Sequence, residues 1–440
     1  MYRNLICGVD EKIPLKDGSL VTPINFDNAA TTPPLNTVLQ EIISFSPWYS
    51  SIHRGSGYKC ELSSNLYENS RSLVMDFVNA GKENVVIYVK NTTEAINKLS
   101  FRLCDGIKKS LILSTDMEHH SNDLPWRDKY IVDYININDD GSLSLKDLEK
   151  KLINYKGSVK LVTVTGASNV TGIMNPIYKI ARLCHNYKAK ILVDGAQLVP
   201  HRAINMGEIS SPEHIDFLVF SAHKMYAPFG IGVLIGPKEV FMKGNPELSG
   251  GGTVNTVTHD FINWSEPPEK EEAGSPNVIG VAALAASIRT LKKIGMNNIS
   301  NYEEYLTCYA LNKLREVPDI SIYGDVSCKA RVGIIPFNIS GIPHYIVSQI
   351  LSDEGGISLR NGCFCAQPYI RKLLKISSET SKKFIRSPSL PRPGMLRISF
   401  AFYNEIEEID KLISLLIKIT MNKSRYLNKY ALNKNWCNNR

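Results

Sequence analysis

Residues 217–233 have the sequence FLVFSAHKMYAPFGIGV. An apolar, β-branched run leads into Ser221-Ala-His-Lys224, and a glycine-containing turn then leads into a second apolar run. This pattern predicts a buried strand, a polar turn and another strand. Most lysines on turns are simply solvated. Lys224, however, follows a buried strand beside Ser221 and His223, where its amine could form a Schiff base with a carbonyl cofactor.

Short apolar runs alternate with longer helical patterns on both sides of this segment. The predicted strands are 85–89, 111–113, 160–165, 190–193, 216–220 and 231–235. Such alternation indicates βαβ units, an α/β fold and a mainly parallel sheet that is covered on both faces. Ligands in such folds bind at the carboxyl ends of the strands. Polar side chains that follow a strand are therefore the candidates for a site.

Two of these candidates follow the strand 190–193. Asp194 offers a carboxylate, which the pyridine nitrogen of pyridoxal phosphate (PLP) requires, and Gln197 could donate a hydrogen bond to the phenolic oxygen of that cofactor. Asp194 could equally be a turn or helix-capping residue. Thr92 and Thr93 stand where a helix begins and suit a phosphate group, although threonines there are more often ordinary caps.

A further candidate follows the strand 111–113. His119 and His120 are adjacent, and one imidazole could stack on a flat ring. Neighbouring histidines on a loop are poor metal ligands without a third group nearby, and the sequence has no HExxH pattern, so we predict no metal site.

Composition excludes several classes of protein. The 440 residues are 43% hydrophobic and 21% charged, which is typical of a globular chain and excludes wholesale disorder. The net charge of +8 is a mild bias and does not indicate nucleic acid. Nine cysteines, an odd number and without paired CxxC spacing, argue against a disulfide framework or zinc ribbon and favour the cytoplasm. No segment is apolar for long enough to predict a membrane span.

The pattern changes near residue 286. We predict an N-terminal segment (1–25) that packs on a small domain, a large domain (26–285), and a small C-terminal α/β domain (286–422). The small domain should contain strands at 321–323, 331–335 and 396–399, and helices near 344–353 and 405–421. Residues 376–394 are rich in Ser, Lys and Pro and predict an inserted surface loop. The basic tail, 423–440, is expected to fray.

The order of these motifs extends over nearly the whole chain, from about residue 20 to 422. It resembles the class V (fold type I) PLP-dependent enzymes, and within them the group II cysteine desulfurase/selenocysteine lyase family. The matching stretches are FDNAATT (26–32), HRG (53–55), TTEAIN (92–97), MEHH (117–120), SNVTG (168–172), DGAQ (194–197), SAHK (221–224), GGG (250–252), EAGSPN (272–277), RNGCFCAQP (360–368) and RISFAFYN (397–404).

The resemblance implies a role for each matching residue at the cofactor. Lys224 would hold PLP and move protons, Asp194 would pair with the pyridine nitrogen, and Gln197 would contact the phenolic oxygen. His119 would stack on the ring. The phosphate would be held by Thr93, Ser221 and His223, with Thr92 nearby, and Ser275 would reach the phosphate of a partner subunit, which implies a homodimer.

The resemblance also implies a substrate site. Asn169 and Arg397 would bind the carboxylate of an amino acid, for which a bidentate arginine is well suited. Arg360 would lie beside the catalytic loop, and His53 is assigned to the same substrate site.

The resemblance identifies Cys365, which precedes Ala-x-Pro, as the nucleophile. Its thiolate would attack the sulfur of L-cysteine, forming an enzyme persulfide and releasing alanine, and a neighbouring Arg360 would favour the thiolate. Many members have histidines where this chain has Cys363 and Phe364, and the Gly-Cys-Phe-Cys sequence is similar to that of molybdenum cofactor sulfurases. Cys363 could resolve or receive sulfur from Cys365. The segment 376–394 could shape access for the substrate or for a sulfur-acceptor protein.

Three functions remain open on the sequence alone. The first is a PLP-dependent cysteine desulfurase, with selenocysteine lyase activity as a close variant. The second is another class V activity, such as an aminotransferase, an epimerase or a C–S lyase on a specialised amino acid. The third is a PLP-fold scaffold without turnover, against which the intact Lys224 and Asp194 argue.

Overall fold

The computed structural model describes residues 2–104, 110–387 and 392–431. Its strands are β1 (Ile13–Pro14), β2 (Leu20–Val21), β3 (Ile24–Asn25), β4 (Asn84–Val89), β5 (Leu111–Thr115), β6 (Ile131–Ile135), β7 (Val159–Thr165), β8 (Lys190–Asp194), β9 (Phe217–Ser221), β10 (Gly232–Pro237), β11 (Val254–Val257), β12 (Ile262–Trp264), β13 (Ile320–Ile322), β14 (Ile334–Ile339), β15 (Ile357–Ser358), β16 (Arg360–Gly362) and β17 (Met395–Ser399).

The α-helices surround these strands. They are α1 (Asn36–Phe45), α2 (Tyr58–Val78), α3 (Thr92–Arg102), α4 (Leu124–Arg127), α5 (Leu145–Asn154), α6 (Ile177–Asn186), α7 (Lys238–Met242), α8 (Val278–Ile294), α9 (Met296–Leu314), α10 (His344–Gly355), α11 (Gln367–Leu373), α12 (Ser378–Arg386), α13 (Ile406–Met421) and α14 (Lys423–Ala431). Within the described ranges, none of them is both long and apolar enough to cross a membrane.

The large sheet has seven strands in the order β4-β10-β9-β8-β7-β5-β6. Only β10 runs antiparallel to its neighbours, β4 and β9. Both faces of the sheet are buried. In β4, Val86 and Tyr88 pack into one apolar core, while Ile87 and its alternate neighbours pack into another. Burial on both faces explains why these strands are continuous apolar runs, and the predicted α/β architecture with a mainly parallel sheet is confirmed.

A smaller antiparallel sheet follows in the order β13-β14-β17-β16. It covers a core of its own, which the N-terminal segment joins through Ile24 and Phe26. β3 pairs in parallel with β15. The predicted boundary at residue 286 falls inside α8, whose buried face packs in the core of the large sheet. The division into domains therefore stays a prediction.

Two segments differ from their predictions. The tail, expected to fray from residue 423, instead continues as α14, because Tyr426 and Tyr430 are buried against the small-domain core. Residues 432–440 lie outside the described residues. The segment 376–394, expected as a loop, contains α12, which begins where the Ser377 side chain accepts a hydrogen bond from Thr380 N. Residues 388–391 within it lie outside the described ranges.

One disulfide joins Cys308 on α9 to Cys328, with the two Cα atoms 5.1 Å apart. The absence of paired spacing argued against a disulfide framework and did not predict this bond. The two cysteines meet because the loop after β13 folds back onto α9, and the spacing of the cysteines carries no signal of that packing.

Candidate active site

A cavity of about 290 Å³ opens where the carboxyl ends of β7, β8 and β9 meet the loop that follows β16. It brings together all of the predicted site residues except two. The lining residues are Ala29, Ala30, Asn91, Thr92, Thr93, His119, Ser121, Thr165, Asn169, Asp194, Ala196, Gln197, Ser221, His223, Lys224, Arg360, Phe364, Cys365 and Arg397. These residues come from distant parts of the chain, so the fold and not the local sequence assembles them.

Lys224 is held in a short 3-10 helix, Ala222–Lys224, directly after β9. Burial lowers the pKa of its ammonium group to about 8, although the charge of Asp194 opposes the shift and that of Arg397 adds to it. A lysine with such a pKa is partly neutral at physiological pH. It can therefore act as a nucleophile towards a carbonyl and as a proton carrier.

Asp194 ends β8 and is buried, with the Ala196 N–H donating to its Oδ1 across 3.0 Å. Burial raises its pKa, which that hydrogen bond and the Lys224 charge oppose. Gln197 donates from Nε2 to the carbonyl of Ala29 across 2.6 Å, and its buried Oε1 has no partner. A buried carboxylate with a single donor and an orphaned amide oxygen are polar groups that a bound molecule would satisfy.

The cavity is also lined by hydroxyl groups at the start of α3. Ser221 Oγ accepts from Thr92 N across 2.8 Å and lies 2.7 Å from Thr92 Oγ1. Thr93 Oγ1 lies 2.7 Å from Ser121 Oγ. His223 lines the cavity as well, and burial, aided by the charge of Lys224, lowers its pKa to about 4. Hydroxyls at the N-terminus of an eleven-residue helix fit a phosphate dianion.

Gly232 makes this turn possible. A Cβ at that position would lie 2.6 Å from Asn91 Cα, so β10 can pass beneath the turn only because residue 232 has no side chain. Asn91 in turn caps α3 by accepting a hydrogen bond from Glu94 N across 3.1 Å. The cap of this helix is therefore Asn91, and Thr92 and Thr93 are the first two residues of the helix itself.

His119 also lines the cavity. Its Nδ1 accepts from Ser121 N across 3.1 Å, and burial, followed by the charge of Lys224, lowers its pKa to about 3. The imidazole is therefore neutral and suited to stacking on a flat ring. Behind it, the buried Glu118 accepts hydrogen bonds from Thr115 Oγ1, Thr165 N and Asn122 Nδ2. Sequence reasoning missed Glu118, which fixes this loop to β7.

Two arginines converge on one carboxylate at the substrate end. Arg397 is buried and contacts Asp27 Oδ1 across 3.1 Å, while Arg360 contacts Asp27 Oδ2 across 2.9 Å. Burial lowers the pKa of Arg397 to about 10, and the Asp27 charge opposes that shift. Its guanidinium also lies 4.9 Å from the centre of the Phe364 ring. Asp27 belongs to the FDNAATT motif, but its bridging role was missed.

The catalytic loop has an unusual backbone. Phe364 and Cys365 have φ angles of 51° and 53°, after Gly362 with φ of 108°. Positive φ is strained for residues with side chains and is typical of functional loops. Asn169 Nδ2 donates to Phe364 O across 2.7 Å, and His120 N donates to Cys365 O across 2.6 Å. These two bonds hold Cys365 exposed at the cavity rim.

The second cysteine of the loop is in a different environment. Cys363 is half-buried, and its Sγ lies 3.4 Å from the carbonyl oxygen of Pro393. Burial raises its pKa, against the charges of Arg371 and Arg392. Because a nucleophile must be an accessible thiolate, the structure distinguishes an exposed Cys365 from a poorly ionised Cys363.

Two predicted site residues do not reach the cavity. His53 lies on an exposed loop with φ of 67°, and its Nε2 contacts Glu68 Oε1 across 2.9 Å. Ser275 is exposed outside the cavity. The structure therefore does not bring His53 to the substrate site of its own chain. The predicted role of Ser275 concerns a partner subunit and stays a prediction.

The donor set fits PLP. The cavity is lined by a buried carboxylate, a lysine with a lowered pKa, hydroxyls at a helix N-terminus and a neutral imidazole. Asp194, Gln197, His119, Thr92, Thr93, Ser221, His223 and Lys224 are the residues that would hold it.

Comparison with known proteins identifies similar chains. The family model of aminotransferase class-V matches residues 24–412. A cysteine desulfurase of Wigglesworthia glossinidia brevipalpis is 37% identical over 406 residues, which cover 90% of this chain and 92% of that protein. One from Haloferax volcanii is 34% identical over 416 residues, 92% of each. The apo structure of a cysteine desulfurase from Thermococcus onnurineus NA1 has a TM-score of 0.82 and 32% identity, and the match covers 95% of this chain and 98% of that one.

Proposed function

This chain belongs to the aminotransferase class-V family, and from that premise we propose that it is a PLP-dependent cysteine desulfurase. It converts L-cysteine to L-alanine and takes up the sulfur as a persulfide on Cys365. One observation carries the proposal: an exposed cysteine in a strained loop lines the same cavity as Lys224 and Asp194. An aminotransferase has no need of a thiol at that position.

Asp194 and Lys224 have different roles in the proposed reaction. The chemistry supplied by bound PLP is that of an electron sink, which labilises bonds next to the substrate amino group. Asp194 keeps that sink effective, because its buried negative charge favours a protonated ring nitrogen. Lys224 moves protons at the substrate carbon, for which its lowered pKa suits it.

Arg397 orients the substrate carboxylate. It lies between Asp27 and the Asn169 carbonyl, and its buried Nε has no partner. A substrate carboxylate would satisfy that group and compete with Asp27 for the guanidinium. The substrate thiol would then point towards the rim, where Cys365 lies.

Cys365 completes the reaction. Its thiolate attacks the substrate sulfur, the carbon–sulfur bond breaks and a sulfur–sulfur bond forms. The sum is L-cysteine plus enzyme thiol giving L-alanine plus enzyme persulfide, with atoms and electrons balanced. A thiol reductant or an acceptor protein then removes the terminal sulfur and regenerates the thiol.

We extend the proposal to the assembly and location of the enzyme. A homodimer is supported by the exposure of Ser275, which would reach the cofactor phosphate of a second copy. A cytoplasmic location is supported by the six free cysteines among the described residues, one of them the exposed Cys365, and the Cys308–Cys328 disulfide is the one bond there that argues against it.

The test is turnover of purified, PLP-loaded protein. Wild type, Cys365→Ala and Cys363→Ala are incubated anaerobically with L-cysteine and a thiol reductant, and sulfide and alanine are counted. Equal amounts from wild type and Cys363→Ala, with both products lost in Cys365→Ala, are expected. Alanine from Cys365→Ala at the wild-type rate would overturn the persulfide step, and a keto acid without sulfide would indicate an aminotransferase.

A further inference from the structure

The connection from β16 to β17 carries more than the nucleophile. These strands pair side by side, with Gly362 opposite Met395, so residues 363–394 leave and return at one point of the small sheet. Cys365 lies at the start of this connection. At its end, a Cβ on Gly394 would lie 2.7 Å from Gly362 Cα, which shows how closely the returning chain approaches the catalytic loop.

The rest of the connection is strongly basic. Between Ala366 and Gly394 the sequence has seven lysines and arginines and a single acidic residue, Glu379. We call residues 371–387 together with Arg392 the basic segment. Its exposed cations, in the part of the chain that the structure describes, are Lys372, Lys375, Lys382, Lys383, Arg386 and Arg392.

Most of these charges are not neutralised by the chain itself. Lys372 pairs with Asp116. For Lys375, Lys382, Lys383 and Arg386, no carboxylate of the described residues lies within ion-pair distance. Ser381, on the opposite side of α12 from solvent, is buried, which fixes the helix against the protein.

The positive field reaches the catalytic loop. The charges of Arg371 and Arg392 act on the Cys363 thiol and oppose the rise in its pKa caused by burial. Both ends of the basic segment therefore lie near Cys363, whose Sγ is 3.4 Å from the carbonyl oxygen of Pro393 and which is two residues from the exposed Cys365.

We propose that the basic segment is the docking surface for an acidic face of a protein that accepts sulfur from Cys365. This inference rests on the proposed function. The acceptor's thiolate attacks the terminal sulfur of the persulfide, the bond from that sulfur to Cys365 Sγ breaks, and Cys365 leaves as a thiolate. The acceptor becomes the persulfide, so no additional oxidant or reductant is required.

Charge complementarity determines the chemistry of the partner. An acidic face is drawn to unneutralised cations close to the reacting sulfur, which raises the rate of encounter and orients the acceptor thiol. A nucleic acid would be attracted by the same charges, but it carries no thiol to receive sulfur. An acidic, cysteine-bearing protein is therefore the partner that satisfies both the surface and the nucleophile.

The experiment uses PLP-loaded wild-type protein and three synthetic peptides of equal length. Each contains one cysteine, flanked by Asp and Glu, by Ser and Gln, or by Lys. After a single turnover with L-cysteine, the rate of persulfide transfer to each peptide is followed by mass spectrometry at low and high salt. The acidic peptide should react about tenfold faster than the neutral one at low salt, and the advantage should shrink as salt screens the charges.

Charge reversal localises the effect. The variant Lys382→Glu/Lys383→Glu/Arg386→Glu should lose the advantage of the acidic peptide. The matched control is Lys146→Glu/Lys150→Glu/Lys179→Glu, which changes the net charge by the same amount at exposed positions of α5 and α6. This control should still transfer sulfur faster to the acidic peptide than to the neutral one. Alanine formation with a small thiol reductant should be unchanged in both variants, because neither touches the cavity.

A binding assay separates this proposal from the proposed function. Fluorescence anisotropy with the acidic peptide, its cysteine replaced by serine, should show binding to wild type and to the control, and about tenfold weaker binding to the basic-segment variant. Equal rates for acidic and neutral peptides, equal loss in both variants, or preferential binding of an oligonucleotide of the same charge would overturn the docking surface. Absence of alanine with intact peptide binding would instead overturn the desulfurase activity.

Discussion

The backbone N–H of His120 donates a hydrogen bond to the carbonyl oxygen of Cys365 across 2.6 Å. The loop after β5 is thereby joined to the catalytic loop of the small domain. Asn169 joins it from the other side by donating to Phe364 O. The exposure of Cys365 is therefore a property of three segments together, and it should respond to changes in any of them.

The first prediction concerns Asn169→Ala. Loss of the amide donor leaves the Phe364 carbonyl unpaired, so we expect a decrease of about 1 kcal/mol in the free energy of unfolding and alkylation of Cys365 by iodoacetamide that is several-fold faster. Asn175→Ala is the control, because Asn175 donates to Thr165 O across 2.8 Å without touching the catalytic loop. A similar rise in alkylation in both variants would contradict the tether.

The second prediction concerns Asp27→Asn. The substitution leaves the buried Arg397 without a carboxylate, so we expect a loss of about 2 kcal/mol in the free energy of unfolding. It also removes the group that competes with the substrate, so the KM for L-cysteine should fall by about threefold while kcat changes less. Urea denaturation and steady-state kinetics measure the two effects. A large rise in KM would show that Asp27 positions the arginines for the substrate.

The third prediction concerns the pH dependence of cofactor capture. The pKa of Lys224 is lowered to about 8, from 10.5, so deprotonation occurs at a lower pH than for a free lysine. Roughly a tenth of the amine is neutral at pH 7 and roughly nine-tenths at pH 9. Binding of PLP to the apoprotein, followed by visible absorbance, should therefore accelerate between pH 7 and 9 and then level off. Acceleration centred near pH 10.5 would contradict the lowered pKa.

The fourth prediction concerns the pH dependence of stability at a polar cluster around Asp216, which does not line the cavity. Asp216 accepts hydrogen bonds from His185 and from the Ile191 N–H, and it pairs with Lys190. Burial raises the pKa of Asp216, but the histidines and Lys190 outweigh it and hold the pKa well below its usual range. The pKa of His214 is raised, mainly by its hydrogen bond to Asp216.

The lowered pKa of Asp216 and the raised pKa of His214 make the free energy of unfolding depend on pH in opposite directions. The stabilisation from Asp216 is present above its unfolded pKa of about 4, and that from His214 is lost as pH rises above about 6.5. The stability difference between wild type and Asp216→Asn should therefore be larger at pH 5.5 than at 8.5, by about 0.5 kcal/mol because solvent screens His214. Asp133→Asn, which loses a pair with Lys151 and no histidine, should show no such change.

Much of the cofactor site followed from the sequence because parallel strands place their carboxyl ends at one edge. Lys224, Asp194 and Thr92 each follow an apolar run, so strand prediction placed them at the same edge of the sheet. Their separate roles came from the family resemblance. The boundaries of these strands are also local properties, so they differ from their predictions by only a few residues.

The parts that escaped prediction depend on contacts between distant residues. Asp27 meets Arg360 and Arg397 across 333 and 370 positions of sequence. No periodicity encodes such a meeting. The sequence of α14 is polar, and only the packing of Tyr426 and Tyr430 against the core of the smaller sheet explains why it is helical. The predicted strand at 331–335 begins only at Ile334, because the Arg331 side chain is buried and donates to backbone carbonyls.

The position of β10 also has a consequence for synthesis of the chain. Among the described residues, β4 pairs in the sheet with β10 alone, and Thr92 meets Ser221 across 129 positions of sequence. At about 5–20 residues per second, β10 is therefore synthesised on the order of ten seconds after β4. During that interval its apolar faces are exposed to the cell, so β4 is the segment that a ribosome-associated chaperone would be expected to shield.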